Sequence, residues 1–400
     1  MRLGGETPAK PAWPPLNGAS QSWEDDMRKT LLKGLLAGAA MATLGASLAR
    51  ADDDAAYIEK AKAYLQNVAA PVTKWDGPTS GPKAQGKKLI VLVVTDARNG
   101  GAQGAADGAV EAAKSLGWDT RMLDGQGTVP GHASAFQQAI AMKPNGILNA
   151  GIDSAEQQDL LEQAAAAGIK IVGWHAGPKA GPVEGIPAVF TNVTTDPLEV
   201  ANSAGYEAVV KSNGHAGVVL FTDSIYAIAT AKTNFSKAAV EGCKGCKVLE
   251  IADTPIADLS NRMGQLTTSL LSKYGAKWTY SIAVNDLYYD FSAPSLQAAG
   301  VDPATGSPQQ ISSGDGSVPA FKRIRDQQYQ LATVAEPLNL QGWIMVDEIN
   351  RAFAGEKPSG FVPHVHLFTA ENVEKDGGAE NKFDPGNGYR DEYKKIWGVK

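Results

Sequence analysis

Residues 88–123 read KLIVLVVTDARNGGAQGAADGAVEAAKSLGWDTRML. Leu89-Ile90-Val91-Leu92-Val93-Val94 is an unbroken apolar run of strand length, the pattern of a strand buried on both faces. Ala102 to Leu116 then spaces small apolar residues as a helix does. Gly117 ends that helix, and Asp119-Thr120-Arg121-Met122-Leu123 supplies a second strand. Strand, helix and strand in this order make a β-α-β unit, and therefore a parallel sheet.

The same rhythm continues outward. A helix over 133–142, a strand over 146–149, a helix over 155–167 and a strand over 169–173 follow, and Val189-Phe190 reads as a short edge strand. After Asn192 the rhythm restarts: Thr195-Asp196-Pro197 caps a helix to Lys211, and strands over 217–221, 247–251, 280–284, 309–312 and 331–334 alternate with helices. The expected fold is α/β, two doubly wound parallel-sheet lobes joined by a three-segment hinge near Asn192, Glu336 and Phe361. The lobes are drawn as 87–192 plus 337–361 and 193–336 plus 362–370. Residues 52–86 read as a leader helix and loop packed on the first lobe, and 371–400 as a C-terminal tail whose Tyr389, Tyr393, Ile396 and Trp397 are spaced for a short docking helix.

Upstream, Met27-Arg28-Lys29 opens a basic segment, residues 31–48 are small and apolar apart from Lys33, and Ala49-Arg50-Ala51 precedes Asp52. That is the layout of a signal peptide, 27–51, cut before Asp52. Residues 1–26, ending in Glu24-Asp25-Asp26, have the wrong charge for its start and are taken as an upstream extension. The expected location is the periplasm. A formal charge of −6 over 400 residues excludes nucleic acid as a partner, since a nucleic-acid binder needs a basic surface. Cys243 and Cys246, in the order Cys-Lys-Gly-Cys between a helix and a strand, are expected to form a local disulfide in an oxidising compartment.

In open parallel sheets, ligands bind beyond the carboxyl ends of the strands. The residues there include Asp96, Arg98, Asn99, Trp174, His175, Asp223, Asn285, Asp315 and Glu336, with Tyr226 at the start of the facing helix. Short carboxylates and amides pair with adjacent hydroxyls, and an aromatic face covers the C–H side of a sugar ring. Either Trp174 or Tyr226 could stack on such a ring. No phosphate-binding or dinucleotide-binding glycine motif is present, and no serine sits in a Gly-x-Ser-x-Gly elbow. No cofactor is expected. His364-x-His366 has no further ligand nearby in sequence, so no metal site is expected either.

These strand ends resemble the type I periplasmic sugar-binding family, the group of ribose- and galactose-binding proteins, over residues 87–370. The resemblance lies in Ile90 to Val94 with Asn99 beyond, Asp107-Gly108-Ala109, Ala283-Val284-Asn285-Asp286, Gly314-Asp315-Gly316, and Leu331 to Ala335 leading into Glu336. It implies a non-enzymatic solute-binding protein of an ABC importer, taking a sugar or polyol between its lobes and docking as a monomer on an inner-membrane permease. It further implies that Asn99, Asn285 and Asp315 contact the ligand. The family's aromatic pair after the first strand is replaced by Gly101 and Ala102, its arginine on the second-lobe helix by about Ala229, its glutamine by Glu336, and its Asp-Arg pair by Trp174-His175. A ligand other than ribose is expected. Sensing for a chemoreceptor or kinase, a sugar-modifying enzyme, and a repressor effector domain are the alternatives. The absence of a helix-turn-helix weighs against the last.

Overall fold

The computed structural model describes residues 54–400, so the expected extension (1–26) and signal peptide (27–51) lie outside the described residues. After helix α1 (54–68) come β1 (Leu89–Val94), α2 (Gly100–Ser115), β2 (Asp119–Asp124), α3 (Val129–Ala141), β3 (Gly146–Ala150), α4 (Gln158–Ala166), β4 (Lys170–Trp174) and β5 (Asn192–Val193). These strands form a five-stranded parallel sheet in the order β2-β1-β3-β4-β5. The second series is α5 (Pro197–Lys211), β6 (Gly217–Thr222), α6 (Ala227–Glu241), β7 (Lys247–Asp253), α7 (Leu259–Tyr274), β8 (Tyr280–Ala283), α8 (Leu287–Ala298), β9 (Gln309–Ser312), α9 (Val318–Arg325) and β10 (Gln330–Ala335). The chain ends with α10 (Leu338–Ala354), β11 (His366–Thr369), α11 (Val373–Asp376) and α12 (Tyr389–Trp397). The second sheet runs β11-β10-β9-β8-β6-β7.

Two parallel sheets in two lobes are therefore present, and the order β7-β6-β8-β9-β10 in the second repeats that of the first. One strand departs from the expected all-parallel pattern. β11 returns along β10 antiparallel, Ala332 facing Thr369 and Ala335 facing His366, because it arrives from α10 on the other lobe and not through a crossover helix. The edge strand of the first sheet forms at 192–193, not at Val189-Phe190, since Val189 closes a turn onto Ile186 O.

Capping explains where the helices begin. Asn99 Oδ1 accepts from Gly101 N and Ala102 N at 3.0 and 3.4 Å, Thr128 accepts from Gly131 N, and Asp196 accepts from Leu198 N, directly before Pro197. Helix α10 leaves the second sheet but belongs to the first core, where Trp343, Ile344, Met345 and Ile349 pack with Ile90, Leu92 and Val172. Its approach to α2 needs glycine on both sides. A Cβ on Gly342 would lie 2.2 Å from Ala109 N, and one on Gly108 would lie 2.5 Å from Asn339 O.

The flanks differ from expectation in what they cover. Helix α1 packs on the second lobe and not the first, placing Ala61, Leu65 and Val68 against Val200, Ala204 and Val218. Only the loop after it reaches the first lobe, through Trp75, which lies edge-on to Phe361 and Tyr393. Helix α12 is part of the first core, with Trp397 stacked 5.4 Å from Trp343. The expected disulfide is absent: Cys243 and Cys246 are free thiols. Cys243 turns inward against Ile58 and Val209 and donates to Gly214 O at 3.4 Å, and burial together with Cys243 pushes the Cys246 thiol up to about 12.

Candidate ligand-binding cleft

The carboxyl ends of both sheets face one another, and a narrow cavity of about 50 Å³ lies between them. The first lobe lines it with Thr95, Asn99, Gly151, Trp174 and His175. From the second come Tyr226, Ile228, Ala229, Lys232, Ile256, Val284, Asn285 and Asp315. Of the residues expected from sequence, Asn99, Trp174, His175, Tyr226, Asn285 and Asp315 converge here.

The other four do not line it, each for a physical reason. Asp96 and Arg98 satisfy one another, Arg98 Nη2 lying 2.7 Å from Asp96 Oδ2 with its side chain 58% exposed. Asp223 spends its two oxygens on Ile225 N and Ile256 N. Glu336 is buried behind the cavity as the centre of a network. Its Oε2 accepts from Thr195 Oγ1 at 2.8 Å and Gln341 Nε2 at 2.9 Å and lies 3.0 Å from His175 Nε2. Its Oε1 accepts from Lys232 Nζ at 2.9 Å.

Lys232 is the residue that strand-end reasoning missed. It sits on α6, one turn beyond Ile228, so it shares the cavity-facing side with Ile228 and Ala229. The available signal was a charge on a helix face otherwise made of Ala229, Thr233, Ser236 and Ala239, all buried. Its ammonium bonds Glu336 and lies 3.5 Å from Asp315 Oδ1, while Asp315 Oδ2 accepts from Asn285 Nδ2 at 2.7 Å. Burial alone would lower the Lys232 pKa, but Glu336 and Asp315 raise it, so the lysine stays charged. Burial alone would raise Glu336, yet His175 and Lys232 hold it well below the usual carboxylate range. Burial wins at Asp315, whose pKa is raised despite Lys232 and His175.

The aromatic residues are also committed. Trp174 donates from Nε1 to Gln341 Oε1 at 2.9 Å and stacks on His175 with ring centres 3.8 Å apart. His175 holds this position with φ of 49°, in the left-handed region that costs a non-glycine residue strain. Tyr226 OH lies 3.0 Å from Thr95 Oγ1, which also lies 3.0 Å from His132 Nε2. The lobes meet directly at this contact, at Asn99 Oδ1 with Asn285 Nδ2 (3.3 Å), and at Asp153 Oδ2 with Ala227 N (2.8 Å). Gly101 belongs to the same seam. A Cβ there would lie 2.0 Å from Asp315 Oδ2, so the aromatic residue of the resembling family has no room.

A metal ion has little place here. His175, Asp315 and Glu336 bring ligand atoms within 4.8 Å of one another, but the Lys232 ammonium already occupies the position between both carboxylates. His364 and His366 do not cooperate either, since His366 Nε2 pairs with Asp376 and His364 lies exposed beside Glu199. Among the described residues no helix is long and apolar enough to cross a membrane.

The family model described as periplasmic binding protein domain matches residues 90–357. No curated protein matches the chain in sequence. Among solved structures, an ABC transporter solute-binding protein from Agrobacterium vitis with bound allitol is 17% identical at a TM-score of 0.61, covering 72% of this chain and 97% of its own. One from Mycobacterium smegmatis with bound glycerol is 19% identical at a TM-score of 0.63, covering 74% and 99%. A third, from Bacillus halodurans with bound myo-inositol, is 18% identical at 0.61, covering 74% and 98%.

Proposed function

The chain belongs to the periplasmic binding protein domain family, whose members bind solutes and are not enzymes, and on that premise we propose that it captures a sugar or polyol for an ABC importer. The observation that carries this is the cavity itself, lined from both lobes and holding a buried Lys232–Asp315–Asn285 cluster at one end. Such a cluster offers a cationic donor, an anionic acceptor and an amide within reach of adjacent hydroxyls. The structural neighbours with bound allitol, glycerol and myo-inositol support the same ligand class.

A ligand touching both lobes favours the closed arrangement, because only then does it have differential affinity for closure. The hinge runs through the chain near Asn192, Glu336 and Phe361, and closure presents a surface to an inner-membrane permease. Export through the segment 27–51 delivers the protein to the periplasm as a monomer. A thermal-shift and calorimetric screen of the purified protein against pentoses, hexoses, deoxy-sugars and polyols tests the function. A saturable stabilisation by one of these without product formation is expected. Turnover, or no response to any of them, overturns the proposal.

A further inference from the structure

The lining of the cavity is not mixed but divided, and the division runs along α6. Tyr226 directly precedes the helix, Ile228 and Ala229 follow in its first turn, and Lys232 comes one turn further in, where Glu336 and Asp315 hold it. At the outer end Ile228 is joined by Ile256 and Val284, each buried but for a residual 7%. These belong to one apolar cluster with Tyr226 and Ala229. The polar pair at that end is already satisfied, since Tyr226 OH and Thr95 Oγ1 bond one another, whereas Asn99 belongs to the opposite end, where its Oδ1 accepts from Asn285 Nδ2 beside Asp315. Hydrogen-bonding capacity toward a ligand is therefore concentrated at the inner end. Lys232 has three N–H groups and two carboxylate partners, leaving one donor.

Resting on the proposed function, we infer that the ligand is uncharged and divided in the same way, with vicinal hydroxyls at Lys232 and Asp315 and a methyl terminus against Ile228, Ile256 and Val284. A 6-deoxy-sugar and a short terminal-methyl diol share this chemistry. A terminal hydroxyl placed on the apolar wall loses water and gains no partner. A terminal carboxylate does worse, since the one cation of the cleft is already shared between two carboxylates.

Calorimetry on the purified protein with matched ligands tests this. D-fucose, D-galactose and D-galacturonate differ only in carrying CH₃, CH₂OH or COO⁻ at one carbon, L-rhamnose and L-mannose repeat the first comparison, and propane-1,2-diol and glycerol carry it to the short polyols. In whichever series binds, the methyl member is expected to bind roughly tenfold tighter than the hydroxymethyl one, with the carboxylate weakest. Equal or tighter binding of the hydroxymethyl member overturns the inference while leaving a sugar or polyol binder intact. No binding in any series, nor in the wider screen, overturns the proposed function and this inference with it. Ile256→Ser and, separately, Ile228→Asn are each expected to erase the preference for the methyl member. A preference unchanged in both folded variants removes this wall from recognition.

Discussion

Lys232 is held between Glu336 and Asp315 where bulk water does not reach, so each of the three charges depends on the others. Removing one partner of a buried ion pair is far costlier than removing both, because the survivor keeps its desolvation penalty. Lys232→Met should lower stability at pH 7 by about 3–5 kcal/mol, measured by urea unfolding. The loss should shrink toward acid pH as Asp315, whose pKa is already raised, takes up a proton. Asp315→Asn keeps an acceptor for Asn285 Nδ2 and should fold normally. It should nevertheless bind the ligand found in the screen at least about tenfold more weakly, the usual worth of a hydrogen bond to a charged group. Unaltered affinity in calorimetry would remove Asp315 from the site. Asp315 and Asn285 were legible in the sequence because they directly follow strands, where a parallel sheet exposes its ligands. Lys232 was not, since it stands inside a helix, and Asp96, Arg98 and Asp223 stand after strands yet satisfy their neighbours. A strand-end position says where a residue is, not whether its hydrogen bonds are free.

Among the elements, α5 carries a group that works against the fold. Glu207 is buried on it, its Oε1 has no hydrogen-bond partner, and Lys211 comes no nearer than 3.8 Å. Burial raises its pKa from 4.5 to about 7. The folded chain thus holds a proton that the unfolded chain gives up. The associated stability is fully present below the ordinary carboxylate value of 4.5 and lost as pH rises through about 7. Glu207→Gln should therefore stabilise the protein by about 2 kcal/mol at pH 8 and by almost nothing at pH 4, compared by thermal or urea unfolding at both values. A gain independent of pH would show that packing rather than charge is responsible. Helix α12 makes the opposite contribution. Trp397 stacks on Trp343 and donates from Nε1 to Asp347 Oδ1 at 2.8 Å, so Trp397→Ala should cost about 3–5 kcal/mol. The spacing of Tyr389, Tyr393 and Ile396 made this helix legible. Its docking place was not, because an amphipathic face shows that a partner exists without saying which surface provides it. The same limit explains α1, whose existence followed from the pattern but whose seat on the second lobe did not.

At the scale of the molecule the alternating pattern was enough to give two parallel sheets, since apolar runs and helical spacing are local properties. What it could not supply was how the lobes touch, which depends on contacts between residues far apart in the chain. Asp153 shows the consequence. Helix α6 has no cap from its own Tyr226, and the first backbone N–H of the helix, on Ala227, is instead taken by Asp153 Oδ2 from the opposite lobe at 2.8 Å. A carboxylate at a helix N-terminus is favourable both as an acceptor and against the helix dipole. Here that stabilisation exists only while the lobes are together, so it belongs to closure and not to either lobe alone. Asp153 does not line the cavity, which separates its effect from ligand contact. Asp153→Ala should therefore leave the unliganded protein nearly as stable as before while weakening ligand affinity about fivefold, the equivalent of a cap worth about 1 kcal/mol. Because the contact forms on closing, the change should fall mainly on the release rate, read by stopped-flow fluorescence beside calorimetry. Asp153 Oδ1 also accepts from Ala155 N at 3.0 Å within its own lobe, and that bond gives the competing outcome. If the variant loses melting temperature without ligand and keeps its affinity, Asp153 serves the first lobe and the cross-lobe cap does not govern closure.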